Sequence, residues 1–206
     1  MYATKIKTKR IITVLFMVAV ITTTAKAQLQ VSFGPGAGIN YSIYSFDGVD
    51  ESYYDFGPLI TSQVDMQFSR IFSLLLWIDF YSDMSVKETE GDTYDKYNIN
   101  YLSFSPTLKF CLPRSPFYIY AGPGVGIKTK GKRTFGYSDS SISSDVSDMS
   151  TRLDARFGVG YDFFLTQKLT LSPFAGFNVG LNDVIPDTGW KINALQAGIV
   201  LRFNAF

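Results

Sequence analysis

From Leu29 to Phe203 apolar side chains fall on every second position, and no stretch after residue 28 keeps a 3.6-residue period. Such alternation marks strands with one face in an apolar medium and the other in a polar one. The stripes run Leu29–Ile43, Phe56–Phe68, Phe72–Phe80, Leu102–Leu112, Phe117–Ile127, Leu153–Phe163, Leu169–Leu181 and Leu195–Phe203. Each is long enough to cross a bilayer when tilted, which takes about 9–11 residues. The connections alternate in length. Short turns fall near Ser69–Ile71, Pro113–Pro116 and Thr166–Lys168. Longer polar stretches cover Phe46–Asp55, Met84–Asn98, Thr129–Ser150 and Asn182–Gly189. This layout predicts an all-β fold, an eight-stranded antiparallel up-and-down transmembrane β-barrel, with both termini at the short-turn, periplasmic end. The Ser-, Asp- and Gly-rich stretch Thr129–Ser150 is expected to be a mobile loop.

The barrel follows a leader. Lys5, Lys7, Lys9 and Arg10 precede the apolar run Ile11–Ile21, and Ala25-Lys26-Ala27 closes the segment. A basic start, a short apolar centre and an A-x-A site are the pattern of a cleaved signal peptide. The apolar run would reach only about 17 Å as a helix, too short for a hydrocarbon core of about 30 Å. The domain boundaries are therefore 1–27 for the signal peptide and 28–206 for the barrel. Removing the leader takes five of the 19 basic residues and leaves 14 against 18 acids, a net charge of −4.

The two faces differ in kind. Opposite the stripes lie Asp65, Asp79, Asp83, Lys109, Lys128, Arg152, Asp154, Arg156, Asp162 and Arg202, five acids and five bases. Glycines share that parity, among them Gly34, Gly122, Gly158 and Gly176. Eight strands enclose a space just wide enough to be filled by side chains. Long charged side chains beside glycines suit that interior, whereas Arg or Lys facing lipid costs about 2–4 kcal/mol at the midplane. Interior charges must be paired or hydrated, so a salt-bridged plug is expected in preference to a conducting pore. Arg156 would take Asp154 or Asp79. The inverse assignment, a soluble lipocalin-like barrel with an apolar inside, satisfies the same periodicity. Aromatics near the strand ends favour the membrane: Tyr53, Tyr54, Phe56, Tyr97 and Tyr101 at the loop end, and Phe68, Phe72, Phe117, Phe163 and Phe203 at the turn end.

Composition removes several chemistries. The chain has no histidine, so Ser-His and Cys-His catalysis and histidine-ligated metals are out. Asp79 and Asp83 would lie about 13 Å apart along one strand, and Asp154 and Asp162 about 26 Å, both beyond a glycosidase-like carboxylate pair. The expectation is no enzyme, no cofactor and no metal. The acidic run Glu88, Glu90, Asp92 and Asp95 lacks the spaced ligands and positioned glycine of a calcium loop. The single Cys111 has no internal disulfide partner. The balance of charge is not that of a nucleic-acid binder. Gly34-Pro35-Gly36 and Gly122-Pro123-Gly124 are not followed by a helical pattern, so neither is a phosphate loop.

Two resemblances add to this reading. The last stripe, Gln196 through Gly198 and Leu201 to Phe203, resembles the C-terminal insertion signal of bacterial outer-membrane barrels, although Asn204-Ala205-Phe206 follow it. The segment Tyr101-Leu102-Ser103-Phe104-Ser105-Pro106-Thr107-Leu108-Lys109-Phe110, with Tyr120-Ala121-Gly122-Pro123-Gly124-Val125-Gly126 after it, resembles the PorT-like outer-membrane β-barrel family of Bacteroidota. Ser105 shifts the proline by one from that family's pattern. The resemblance spans residues 28–206 and implies a small barrel of the OmpX and OmpW type, integral to the outer membrane. It implies outer-membrane lipid, lipopolysaccharide and the barrel assembly machinery as partners, together with an outer-membrane protein complex. The expected role is structural or surface-interacting. A narrow conduit for small or hydrophobic molecules and an accessory subunit of a secretion or transport complex are the alternatives.

Overall fold

A computed structural model describes residues 29–45, 53–90, 93–137, 140–146 and 149–205. The leader expected at 1–27 lies outside the described residues, as do 46–52 of the first long connection, Asp92 and Phe206. The strands are β1 (Gln30–Ser45), β2 (Tyr53–Gln67), β3 (Phe72–Asp83), β4 (Val86–Glu90), β5 (Thr93–Cys111) and β6 (Phe117–Tyr137). They continue as β7 (Ser140–Asp145), β8 (Arg152–Tyr161), β9 (Phe163–Phe164), β10 (Leu169–Gly180) and β11 (Lys191–Asn204). Every pairing is antiparallel, and the described residues contain no helix.

Eight of these strands close a ring in the order β1, β2, β3, β5, β6, β8, β10, β11, with β11 pairing back onto β1. Closure satisfies every ladder and leaves the ring no open edge. Short turns at 68–71, 112–116 and 165–168 gather at one end. Gln30 pairs with Gln67 and Ser32 with Asn204, so both described ends of the chain lie at that turn end.

The loop end departs from expectation. Met84–Asn98 and Thr129–Ser150 are not open loops for most of their length. There β5 and β6 run on past the ring, β4 pairs with β5, and β7 pairs with β6, making a four-stranded extension. The polar composition of 129–150 suggested mobility. Once two long strands are paired, however, their free edges offer unbonded N–H and C=O groups, and even Ser140–Asp145 can satisfy its backbone there.

Two bulges set which side chains turn inward. One extra residue in β3, at Phe80–Tyr81, shifts its register against β2 and β5. Another in β6, at Thr129, shifts it against β5. Each bulge reverses the inward and outward parity from that point to the loop end. Below the bulges the outer surface is apolar: Phe33, Ile60, Leu108, Ile119, Val159 and Ile199 are all exposed. Patches that large are not left in water. Tyr54 and Phe56 point outward at the loop end, and Phe68, Phe72, Phe117, Phe163 and Phe203 at the turn end. Tyr53, Tyr97 and Tyr101 do not join the loop-end belt. They carry the interior parity of β2 and β5 and pack inside the barrel mouth.

Candidate functional site in the barrel interior

The interior is crossed by side chains at three heights. Nearest the turn end, Asp65 on β2, Lys109 on β5, Asp162 just after β8 and Arg202 on β11 form a closed square of ion pairs. Lys109 Nζ donates to Asp65 Oδ2 at 2.7 Å and to Asp162 Oδ2 at 2.8 Å. Arg202 donates to the same two carboxylates from the opposite side. Ser172 Oγ donates to Asp162 Oδ1 at 2.7 Å and accepts from Arg202 Nη2 at 2.8 Å. These four residues stand on or beside every second strand of the ring, so their charges alternate around the bore. Lys109 Nζ also lies 4.2 Å from the centre of the Tyr118 ring, a cation–π contact. All four ionic groups are buried.

At mid-height Arg156 of β8 reaches Asp79 of β3, Nη1 to Oδ2, at 2.9 Å. Thr61 Oγ1 donates to the other oxygen of Asp79 at 2.6 Å. The guanidinium lies 3.9 Å over the Trp77 ring. Trp77 in turn meets Phe174 edge-on at 4.7 Å between centroids, and Tyr120 at 5.1 Å. Since β3 and β10 stand opposite each other in the ring, the Trp77–Phe174 contact spans its diameter. Leu59, Leu75, Tyr118 and Val200 complete this inner apolar cluster.

Toward the loop end, Asn40 accepts from Gln196 Nε2 at 2.7 Å and donates to Ser82 Oγ at 3.0 Å. Above them an apolar cap of Tyr44, Met84, Val86, Ile99, Tyr101, Val184, Trp190 and Ile192 fills the mouth. Arg152 enters this cap from below. It lies 3.6 Å from Asp154 and donates to Met84 Sδ and to the carbonyl of Ile192. Beneath the ionic square, the turn end opens as a vestibule of about 770 Å³, walled by Arg70, Ile71, Cys111, Leu112, Arg114 and Phe164.

Eight of the ten charges singled out in the sequence are buried here: Asp65, Asp79, Lys109, Arg152, Asp154, Arg156, Asp162 and Arg202. Asp83 is not part of the network. The β3 bulge puts Ser82 in the lumen position, and the Asp83 carboxylate instead accepts from the backbone and hydroxyl of Ser85. Lys128 faces inward but higher, where it donates to the Val146 carbonyl at 2.9 Å. Of the terminal-strand residues, Gln196 is buried, Gly198 sits where an added Cβ would strike the Ala37 carbonyl, and Leu201 and Phe203 face out.

The placement of charges and glycines in the sequence does not by itself single out the interior aromatics Trp77, Tyr118, Tyr120 and Phe174. Their signal was present in two places. All four sit off the apolar parity, and Gly158, Gly160 and Gly176 stand on the strands facing two of them. A Cβ at Gly158 would come within 2.5 Å of Tyr120 Oη, and one at Gly160 would strike Tyr118. Outside the ring, Arg133 forks Asp95 at 2.6–3.1 Å on the extension, and the carboxylate holds the guanidinium above its ordinary pKa. Among the described residues no group of three or more His, Cys, Asp or Glu side chains could hold a metal.

The chain is similar to several solved structures. Neisserial surface protein A is 18% identical, covers 83% of this chain and 96% of its own, and superposes with a TM-score of 0.50. Ail of Yersinia pestis is 14% identical over 84% of this chain and 99% of its own, with a TM-score of 0.46. OprG of Pseudomonas aeruginosa is 12% identical over 85% and 94%, with a TM-score of 0.43. No curated protein matches the sequence. The family model described as an outer membrane protein beta-barrel domain matches residues 12–203. This chain, with its ring of eight lipid-length strands apolar outside and ionic within, belongs to that family of outer-membrane β-barrel proteins.

Proposed function

We propose that this protein is a closed, non-conducting and non-enzymatic barrel of the PorT-like type. Its mature chain starts after a leader at 1–27, and both termini are periplasmic. Its role is structural and surface-interacting, with the loop-end extension as its contact surface and lipopolysaccharide and neighbouring outer-membrane proteins as partners. Gln196, Gly198, Leu201 and Phe203 serve the assembly machinery during insertion, Phe203 offering its ring on the outer face. The observation that carries the closed-barrel reading is the pair of complete crossings: the alternating square Asp65–Lys109–Asp162–Arg202 and the diametric Trp77–Phe174 contact. Both carboxylates of the square are engaged by both cations, so neither is available as a general base.

Planar-bilayer recording tests this. The parent protein, reconstituted and verified as folded, should give no resolved unit conductance at physiological salt. Stepwise openings of uniform size in the parent would establish the conduit instead. A second reading, that the barrel is an accessory subunit of a secretion or transport complex, is favoured by the 770 Å³ vestibule at the turn end. A segment of another protein could seat there from the periplasm. Recovery of one defined partner from native membranes in mild detergent, lost on filling the vestibule by Cys111→Trp, is the expected result for that reading.

A further inference from the structure

The extension has two unlike faces. Directly paired residues of an antiparallel ladder share a face. Val86, Tyr97 and Ile99 pack into the apolar cap, which defines the inward face. The outward face then carries Lys87 opposite Lys96, Lys132 opposite Asn98, and Lys130 opposite Asn100. Lys130 and Lys132 would share the inward parity of Lys128 but for the bulge at Thr129, which turns them out. Among the described residues none of these four ammonium groups has an ion pair. Two like charges directly opposed across a ladder, as Lys87 and Lys96 are, destabilise it unless something supplies counter-charge. Asp145, opposite Lys132, is the one acid directly paired with any of the four.

Height identifies the counter-charge. The lipid-facing run of β6 from Phe117 to Ile127 rises about 26 Å, at ~3.4 Å per residue and ~40° tilt, which matches an apolar band of about 25 Å. On the same arithmetic Lys130 stands about 8 Å above the apolar edge, Lys132 about 13 Å, and Lys96 about 18 Å. The headgroup layer of a bilayer is only about 5–8 Å deep per leaflet. A phospholipid presents its phosphate in that layer alone and would meet Lys130. A glycolipid with phosphates on its anchor and on successive sugars presents anions at all these heights.

We infer that Lys87, Lys96, Lys130 and Lys132 form a binding site on the outward face of the extension for the phosphates of an outer-leaflet phosphorylated glycolipid. The site rests on the loop-end-outward orientation proposed above. Asn98 and Thr134, on the same face, supply hydrogen bonds for its sugars.

The test uses the full mature barrel in phosphatidylcholine nanodiscs. It is titrated with rough-type lipopolysaccharide, with the same glycolipid after enzymatic dephosphorylation, and with phosphatidylglycerol. Near a membrane each lysine contributes about fivefold in affinity. The variant K87Q/K96Q/K130Q/K132Q should therefore lose about a hundredfold or more toward intact lipopolysaccharide and nothing toward the dephosphorylated form. The Lys168→Gln variant, at the turn end, should match the parent. Acetylation of the folded parent, checked by heat-modifiable gel mobility, repeats the test without refolding a variant. Equal affinity of the quadruple variant and the parent overturns the site. So does phosphatidylglycerol binding as tightly as lipopolysaccharide, which would make the face a general anion surface. Orientation is read separately. If an impermeant amine reagent on intact cells reaches Lys168 and not Lys130, the proposed topology fails, whatever the nanodisc result.

Discussion

Arg156 and Asp79 lie 77 positions apart in the sequence and meet across the bore at 2.9 Å, with the guanidinium resting on Trp77. The pair ties β8 to β3, strands that share no ladder. Removing one partner of a dry buried pair costs about 3–5 kcal/mol, while replacing both by apolar groups is often neutral. Arg156→Leu is therefore expected to lower the urea midpoint strongly, and Arg156→Leu with Asp79→Leu to recover most of the loss. If the single change is nearly silent, the middle of the bore is wet.

Tyr120 can occupy the lumen because Gly158 and Gly176 leave it room. A Cβ at Gly158 would press on the Tyr120 hydroxyl and on the Ala175 carbonyl. Gly158→Ala should destabilise by about 1–3 kcal/mol, the usual cost of overpacking. Tyr120→Phe in that background removes the nearest side-chain atom and should restore part of the midpoint. Failure of the second change to help would mean that the backbone contact, not the ring, sets the limit.

Val159 tests the outer face. It is half-exposed, on the turn-side half of β8, and paired with Ile119 and Ala175. Val159→Arg places an unpaired charge against lipid between the midplane and the turn-end interface and should cost about 1–3 kcal/mol. Heat-modifiable mobility and the urea midpoint in lipid read this directly. A variant as stable as the parent would contradict a lipid-facing β8.

Cys111 reports topology. It is the sole cysteine of the chain, carries a free thiol, and lies in the wall of the turn-end vestibule. A membrane-impermeant maleimide is expected to label it only after the outer membrane is permeabilised. Labelling on intact cells would place the turn end outside and reverse the proposed orientation.

Much of this architecture follows from alternation alone. A period of two over eight stripes, with Phe157 and Val159 on one parity and Arg156 and Gly158 on the other, determines that strands form and that their faces divide into apolar and ionic. The alternating turn lengths determine the up-and-down order. Side-chain parity is a local property, so it survives wherever the ladder is regular. It could not determine where the ladder is irregular. The extra residue at Phe80–Tyr81 removes Asp83 from the lumen, and the one at Thr129 turns Lys130 and Lys132 from the inside to the outside. Bulges arise from the fit between neighbouring strands, which no single strand's pattern contains. The partners of the charges were equally hidden. Asp65 finds both Lys109 and Arg202, on strands distant in sequence, only because closure and tilt bring every second strand's side chain to one height. Parity set Trp77 and Phe174 on the inner face, but only the diameter of a closed eight-stranded ring decided that they touch.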